Sequence, residues 1–340
     1  MRKRLLYLDI LRCFAIVLVI ILHAMVPILG NQTFFQTPSW YFCIFQNSIN
    51  RIGVPLFLMI SGYLMLSNSS TESIWFFYKK NIPKLIIPLT AWNIIYYIAD
   101  SYLKNEEMDP FVFLQQFLNQ GCSYHLWFIY TLIGIYLMCP FLYRIVVLCT
   151  SKELLILIII VLFPTTIRPL INTIQPIYIY LFDPLLEGYL GYFLLGFWLG
   201  KSDLSKNSRI LIYLLGIVGY IGGVVGNLVT SSKEAIPLPF NGGYSLNHYL
   251  TAAAIFVFVR AIFRQHGNSG KLCSMFSNLS DLVFGVYWIH VLVLESVTSL
   301  LEDNISVLQY IILVPGLTIF ISFGIVWGLS RISVFKKILF

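Results

Sequence analysis

The sequence predicts an all-α fold, a polytopic membrane bundle of about ten transmembrane helices in a single domain over residues 1–340, with both termini cytoplasmic. Three observations predict it. Hydrophobic residues fill 58% of the 340 positions and charged residues 11%, against roughly 45–50% and about 25% in soluble domains. With a mean hydropathy of +0.82, that balance argues against a soluble globular protein and against disorder. Apolar runs recur along the chain at about the 20-residue length that a lipid-crossing helix needs. The runs are continuous, as over 156–163, where barrel strands would alternate.

Helix is the default for each run, because backbone groups in lipid must be satisfied within the segment. The first span, 7–29, follows the basic cluster Arg2, Lys3 and Arg4 and ends at Pro27 and Gly30. No small-residue cleavage site follows it, so a retained helix is expected and not a signal peptide. The second span is 42–66. After it, Trp75, Phe76, Phe77 and Tyr78 stand beside Lys79 and Lys80 and read as an interfacial cytoplasmic segment. The third span, 82–103, is followed by 109–119, apolar enough for a short helix on the outer surface. The fourth is 124–145 and the fifth 154–171. The sixth, 188–200, is short, although apolar residues from Ile177 onward would lengthen it. Spans at 210–229, 246–263, 282–301 and 307–329 complete the count.

Loop charges test that count. With the N-terminus inside, seventeen of the 22 Lys and Arg fall in cytoplasmic segments, and only Lys104, Arg168 and Lys233 fall outside. Such asymmetry fixes orientation and an even number of spans. It also accounts for the net charge of +7 without nucleic acid, since no basic patch is interleaved with exposed aromatics. No internal repeat is visible, which weighs against a transporter built from inverted repeats. The six cysteines form no CxxC pair, and most lie in apolar runs as small hydrophobes. Cys43 and Cys122 both fall near the outer surface in this order of spans, where a disulfide between them can form.

Arg12 and Arg51 fall within spans. Ionisable groups there are costly, and the default reading is a functional site. Arg12 and His23 are eleven positions apart, close to three turns, so they share one face of the first helix about 16 Å apart. A cation low and an imidazole high on one face point to a path: the cation holds an anion arriving from the cytoplasm, and the imidazole serves as base near neutral pH. The competing structural reading has Arg12 snorkelling to the inner headgroups and His23 bonded to a neighbouring helix. Asp9, three residues before Arg12, is placed to pair with it.

Arg51 enters from the outer side to a depth like that of His23. Its donor fork suits a carboxylate, a phosphate or a developing oxyanion, or else backbone carbonyls. His125 beside Trp127 reads first as an aromatic-belt anchor at the outer surface. His290, with Tyr287 one turn away and Glu295 on the same span, reads equally as chemistry or as an interhelical hydrogen bond. Asp100 and Glu187 lie near outer ends and His248 and His266 near span ends or in a loop, and all four read as solvated. No P-loop, nucleophile elbow or HExxH is present, and no metal site can be assembled from the spacings.

Four blocks then carry a resemblance. LDILRCFAIVLVIILHA (8–24) resembles the first helix of the acyltransferase 3 family of integral membrane acyltransferases, whose hallmark is Arg or Lys, ten residues, then His. NSINRIGVPLFLMISGYL (47–64) is similar to that family's second-helix signature, with Leu58 in place of a Phe. YHLWFIYTLIGIYLMCPFL (124–142) and FGVYWIHVLVLE (284–295) resemble its HLWF and YxxH segments. The blocks stand in family order and cover nearly the whole chain. Within the family the nearest look is to the branch of the enterobacterial common antigen O-acetyltransferase and the intercellular-adhesin O-acyltransferase.

The resemblance implies transfer of an acyl group, acetyl first, from cytoplasmic acyl-CoA to a hydroxyl of an extracytoplasmic or lipid-linked glycan. It implies a location in the bacterial cell membrane among its lipids, no nucleic-acid partner and no metal. Arg12, supported by Asp9, would hold the CoA phosphate or pantetheine region. His23 would act as general base or relay, and Arg51 would face the thioester carbonyl or anchor the ligand. His125, Trp127, His290 and Tyr287 would contact substrate or support the site. Members with a fused hydrolase-like domain pass the acyl group on; with none in this sequence, the resemblance implies that the chain acts alone. The alternatives are a transporter of a small solute such as serine, because related domains are fused to serine racemases, and a polysaccharide exporter.

Overall fold

The computed structural model describes residues 4–167, 188–232, 238–243, 245–264, 270–302, 304–332 and 335. Among them the fold is all-α, a polytopic helical bundle. Eight helical stretches are long and apolar enough to cross a membrane. These are α1 (Leu6–Gly30), α2 and α3 together (Pro38–Asn50 and Gly53–Leu66), α4 and α5 together (Ile74–Asn81 and Pro83–Lys104), α7 (Trp127–Leu148), and four more after residue 200. The expected fifth and sixth spans correspond to α8 (Ser151–Leu162) and α9 (Leu190–Lys201), of 12 residues each. Twelve residues rise only about 18 Å, short of the hydrocarbon core of about 30 Å. A π turn, Phe163–Ile167, continues α8. The rest of the difference between ten and eight, including Ile177 onward, Arg168 and Glu187, lies outside the described residues.

α1 is the core of the bundle. It packs on α3 and on α11 (Leu246–Phe263), α12 (Lys271–Leu301) and α13 (Val307–Leu329), and Leu11, Ala15, Ile16 and Ile20 are fully buried. α9 is buried on nearly every side and crosses α3 at two glycines: a Cβ on Gly62 would strike the Phe193 backbone, and one on Gly196 the Met59 backbone. Small residues at such crossings let helices approach without a hydrophobic drive from lipid. α10 (Lys206–Thr230) turns Leu211, Leu214, Val218 and Ile221 outward, the apolar surface that a bundle in lipid presents.

Two short helices form at the segments expected to lie beside the spans. α6 (Pro110–Asn119) is capped by Asp109 and anchored where Tyr130 Oη donates to the Phe117 carbonyl (2.5 Å), leaving Phe111 and Leu118 exposed. α4 exposes Trp75 and Phe76, buries Phe77, and carries Lys80 over the Phe76 ring. All six cysteines are free, so the Cys43–Cys122 disulfide is not formed.

The second expected span is not one continuous helix. α2 stops at Asn50 and α3 starts at Gly53. Pro55 has no N–H for the Arg51 carbonyl, and its ring clashes with a carbonyl four residues back. The chain therefore breaks at Arg51 and Ile52, inside the bundle.

Candidate active site

Two cavities flank α1, one at each of its two polar turns. The first, of about 380 Å³, is lined by His23, Asn50, Arg51, Tyr124, His125 and Trp127, with an apolar wall from Val19, Val26 and Val54. The second, of about 390 Å³, is lined by Arg12, Ser61, Asn81, Lys84, Tyr136, Ser280 and Asp281. Phe128 and Tyr287 line both.

At the Arg12 end the expected pair forms: Arg12 Nη1 lies 3.2 Å from Asp9 Oδ1. Asp9 is shared, however. Arg4 Nε donates to its Oδ2 at 2.8 Å, and Ser277 Oγ and Ser280 Oγ donate at 3.2 and 2.9 Å. Arg4 also bridges to Asp281 at 2.8 Å. A buried carboxylate with four donor residues ties α1 to α12. Arg12 is left with a shared carboxylate and a weak contact to Ser280 Oγ at 3.4 Å, so some of its charge faces the cavity together with Lys84.

At the other end His23 packs between two aromatic rings, with centroids 5.0 Å from Tyr124 and 5.5 Å from His290. His125 lies 5.0 Å from His290. Among the described residues the His23 ring forms no hydrogen bond, and it borders open cavity. His290 Nδ1 donates to the Tyr287 carbonyl at 2.7 Å, so in the neutral ring Nε2 carries the lone pair. Tyr287 Oη donates to the His125 carbonyl at 2.6 Å. Among the described residues the Nε2 atoms of His125 and His290 are buried without a partner.

Arg51 reaches this cavity from the break between α2 and α3. Gly53 makes the approach: a Cβ there would lie 2.8 Å from the Ala15 carbonyl and from Val19, and Val19 is one turn before His23. Arg51 Nε donates to Asn47 Oδ1 at 3.1 Å, and Asn47 Nδ2 donates to Asn241 Oδ1 at 2.6 Å. No carboxylate pairs with Arg51 among the described residues. A guanidinium held from behind by amides, with its other donors free of acidic partners, is arranged to receive an anion or a developing oxyanion.

Two expectations change. His125 is not an anchor at the surface: it is 2% exposed, because the turn at Ser123–Leu126 folds it inward before α7 begins, with Nδ1 3.0 Å from Ser123 Oγ. Trp127 keeps its place beside it, lining the cavity with its ring 5.1 Å from Tyr189. His248 is not solvated either. It is fully buried, and its Nδ1 donates to the Gly242 carbonyl at 2.9 Å. Glu295 stands exposed on α12, apart from His290, and Asp100 pairs with Lys104 at the surface as a wet residue would. His266 and Glu187 lie outside the described residues.

Sequence reasoning missed Arg4, Asn47, Tyr124 and Phe128. Asn47 had a signal, since it stands one helical turn before Arg51. No group of three His, Cys, Asp or Glu among the described residues could hold a metal ion. The chemistry in reach is therefore that of one accessible imidazole, one accessible guanidinium and a cationic pocket about three turns away.

No curated protein and no solved structure matches the chain. One family model does, described as an acyltransferase domain, and it matches residues 5–328. The four sequence blocks and the Arg12, His23 and Arg51 cavities all fall within that span. The chain belongs to the acyltransferase 3 family, and it is a multi-pass membrane acyltransferase.

Proposed function

We propose that this acyltransferase moves an acetyl group from cytoplasmic acetyl-CoA to a hydroxyl of an extracytoplasmic or lipid-linked glycan. The reading places it in the bacterial cell membrane, in the O-acetyltransferase branch that includes the common-antigen and adhesin enzymes. The observation that carries it is the pair of cavities on one face of α1, cationic at Arg12 and imidazole-bearing at His23, with a shared wall. Arg12 and Lys84 hold the anionic end of the donor. The pantetheine arm covers the rise of about 16 Å between the two turns and brings the thioester to His23.

There His23 takes the proton of the acceptor hydroxyl, the oxygen bonds to the thioester carbon, and the C–S bond breaks. Arg51 faces the carbonyl oxygen as it gains charge, and the proton passes from His23 to the departing thiolate. His125, His290 and Tyr287 support the ring of His23, and Trp127 borders the acceptor.

Mass spectrometry of surface glycans from cells making the wild-type or His23→Ala protein tests this. Acetylated glycan is expected only with the wild type. A positioned base contributes roughly 10²–10⁴-fold, so the His23→Ala signal falls to background. Equal acetylation in both would remove His23 from the mechanism. No acetylation in either, with solute uptake that depends on Arg51, would favour a transporter.

A further inference from the structure

We propose that Phe128 and Tyr287 form a closed septum between the donor and acceptor cavities, and that their rings decide whether the activated acyl group meets acceptor or water. The inference rests on the two-cavity reading above and adds a positioning role that the reaction itself does not require.

Phe128 and Tyr287 alone border both cavities. Both are almost fully buried, at 6% and 4% exposed, with ring centroids 5.7 Å apart at 67°. Phe57 backs Phe128 from the Arg12 side, at 6.2 Å. Tyr287 is held at both ends: its hydroxyl donates to the His125 carbonyl, and its own carbonyl accepts from His290 Nδ1. Polar groups line each cavity, but the two side chains that border both are aromatic, and the one hydroxyl they carry is spent on the His125 carbonyl. Water and ions therefore have no polar route past these two rings. A thin acyl-thioester chain can slip between the rings as their rotamers change, whereas the charged nucleotide end stays with Arg12 and Lys84. The chain then plugs the gap that it opens.

Shortening Phe128 should leave that gap open. Water would then enter beside the thioester and take the place of the acceptor: its oxygen bonds to the carbonyl carbon, the C–S bond breaks, and acetate and free CoA leave. Excluding water from such an intermediate is a known consequence of site closure.

Two measurements test the septum. In everted membrane vesicles of a cysteine-free background, Val54→Cys reports the His23 cavity, and a membrane-impermeant thiol reagent is added to the face that carries Arg12. Labelling is expected only when Phe128→Ala is also present. Labelling with Phe128 intact, or none with Phe128→Ala, overturns the septum whatever the protein acylates. In purified protein with acetyl-CoA and no acceptor, Phe128→Ala should raise free-CoA release by at least about tenfold through loss of water exclusion. Tyr287→Phe should raise it less, and Phe128→Leu should restore the wild-type rate. Wild-type release from a Phe128→Ala protein that binds acetyl-CoA sinks the septum alone. Failure of the wild type to bind acetyl-CoA sinks the donor reading, and the labelling result still stands.

Discussion

Asp9 separates a ligand-binding role from a structural one. It is 1% exposed and accepts from Arg4, Arg12, Ser277 and Ser280. Removing one partner of a fully buried ion pair costs about 3–5 kcal/mol. Here the cations are partly open to solvent, Arg4 at 41% and Arg12 at 30%, and water can rehydrate them, which lowers the cost. The two serine donors to a charged acceptor restore some of it, at roughly 1.5–3 kcal/mol per such bond. Asp9→Ala should then destabilise the α1–α12 junction by about 3 kcal/mol. At about 2 °C per kcal/mol, the low end for long chains, that is a fall of roughly 6 °C in melting temperature. Asp9→Asn keeps the shape and should lose about half as much. Thermal unfolding in detergent measures the first effect, and acetyl-CoA titration below both transitions measures the second. Donor affinity should hold or rise in Asp9→Asn, because a negative charge leaves the side of Arg12. A wild-type melt together with lost donor binding would refute the argument and make Asp9 a ligand-contacting group.

Four further outcomes follow from the geometry. Arg12→Ala should weaken acetyl-CoA binding with little change in the melt, since Asp9 keeps Arg4; Arg12→Lys should be milder, because one point charge still meets phosphate. Asn47→Ala should release the Arg51 fork from its amide anchor and lower turnover by about tenfold, a cost of about 1.4 kcal/mol, with donor affinity unchanged; equal loss of both would place Asn47 in the donor site. His290→Phe should keep more than about a tenth of the activity, a loss below roughly 1.4 kcal/mol, because no hydrogen bond joins its Nε2 to His23 and Phe preserves the ring packing; a loss matching His23→Gln would make it a proton carrier. Reporter fusions after Asn31, Glu107 and Asp303 should read outside, and fusions after Asn68 and Lys206 inside, and an outside C-terminus would overturn the orientation.

The first helix was legible almost to the residue, because a single period governs it. Continuous apolar composition demands a helix, and a helix fixes that Arg12 and His23 share a face. The break at Arg51 left a weaker trace. Pro55 stands four residues on and Gly53 two residues on, but the hydropathy of 42–66 runs straight through them. The fifth and sixth spans are described only in part, since residues 168–187 lie outside the described ones. Apolar content over 154–171 was long enough for a crossing, yet α8 ends at Leu162 and gives way to a π turn at Phe163–Ile167 that includes Pro164. Hydropathy records how apolar a segment is. It does not record whether lipid or another helix covers it, and α9, buried on nearly every side, is covered by helices.

The histidines mark where sequence reasoning stops, and the reason is energetic. A lone imidazole beside Trp127 reads as an interfacial anchor because a histidine without a partner is cheapest in contact with water. The fold buries His125 and His290 instead and leaves an Nε2 on each unpaired, at a cost of roughly 1–3 kcal/mol per unsatisfied group. No local pattern foretells that choice, since it depends on α1, the turn before α7 and α12 meeting at one point from positions some 100 and 267 residues apart. The fold tolerates the cost around His23, the one imidazole among the described residues that stays accessible. Two buried imidazoles and a tyrosine anchored at both ends wall in the His23 ring on this side. The same cavity places the Arg51 guanidinium beside it, held by Asn47 and with no carboxylate partner among the described residues. Buried nitrogens without a partner among the described residues also stand at Asn227, His248 and Trp288, so they do not by themselves mark the candidate site; the meeting of His23, His125 and Arg51 on one cavity does.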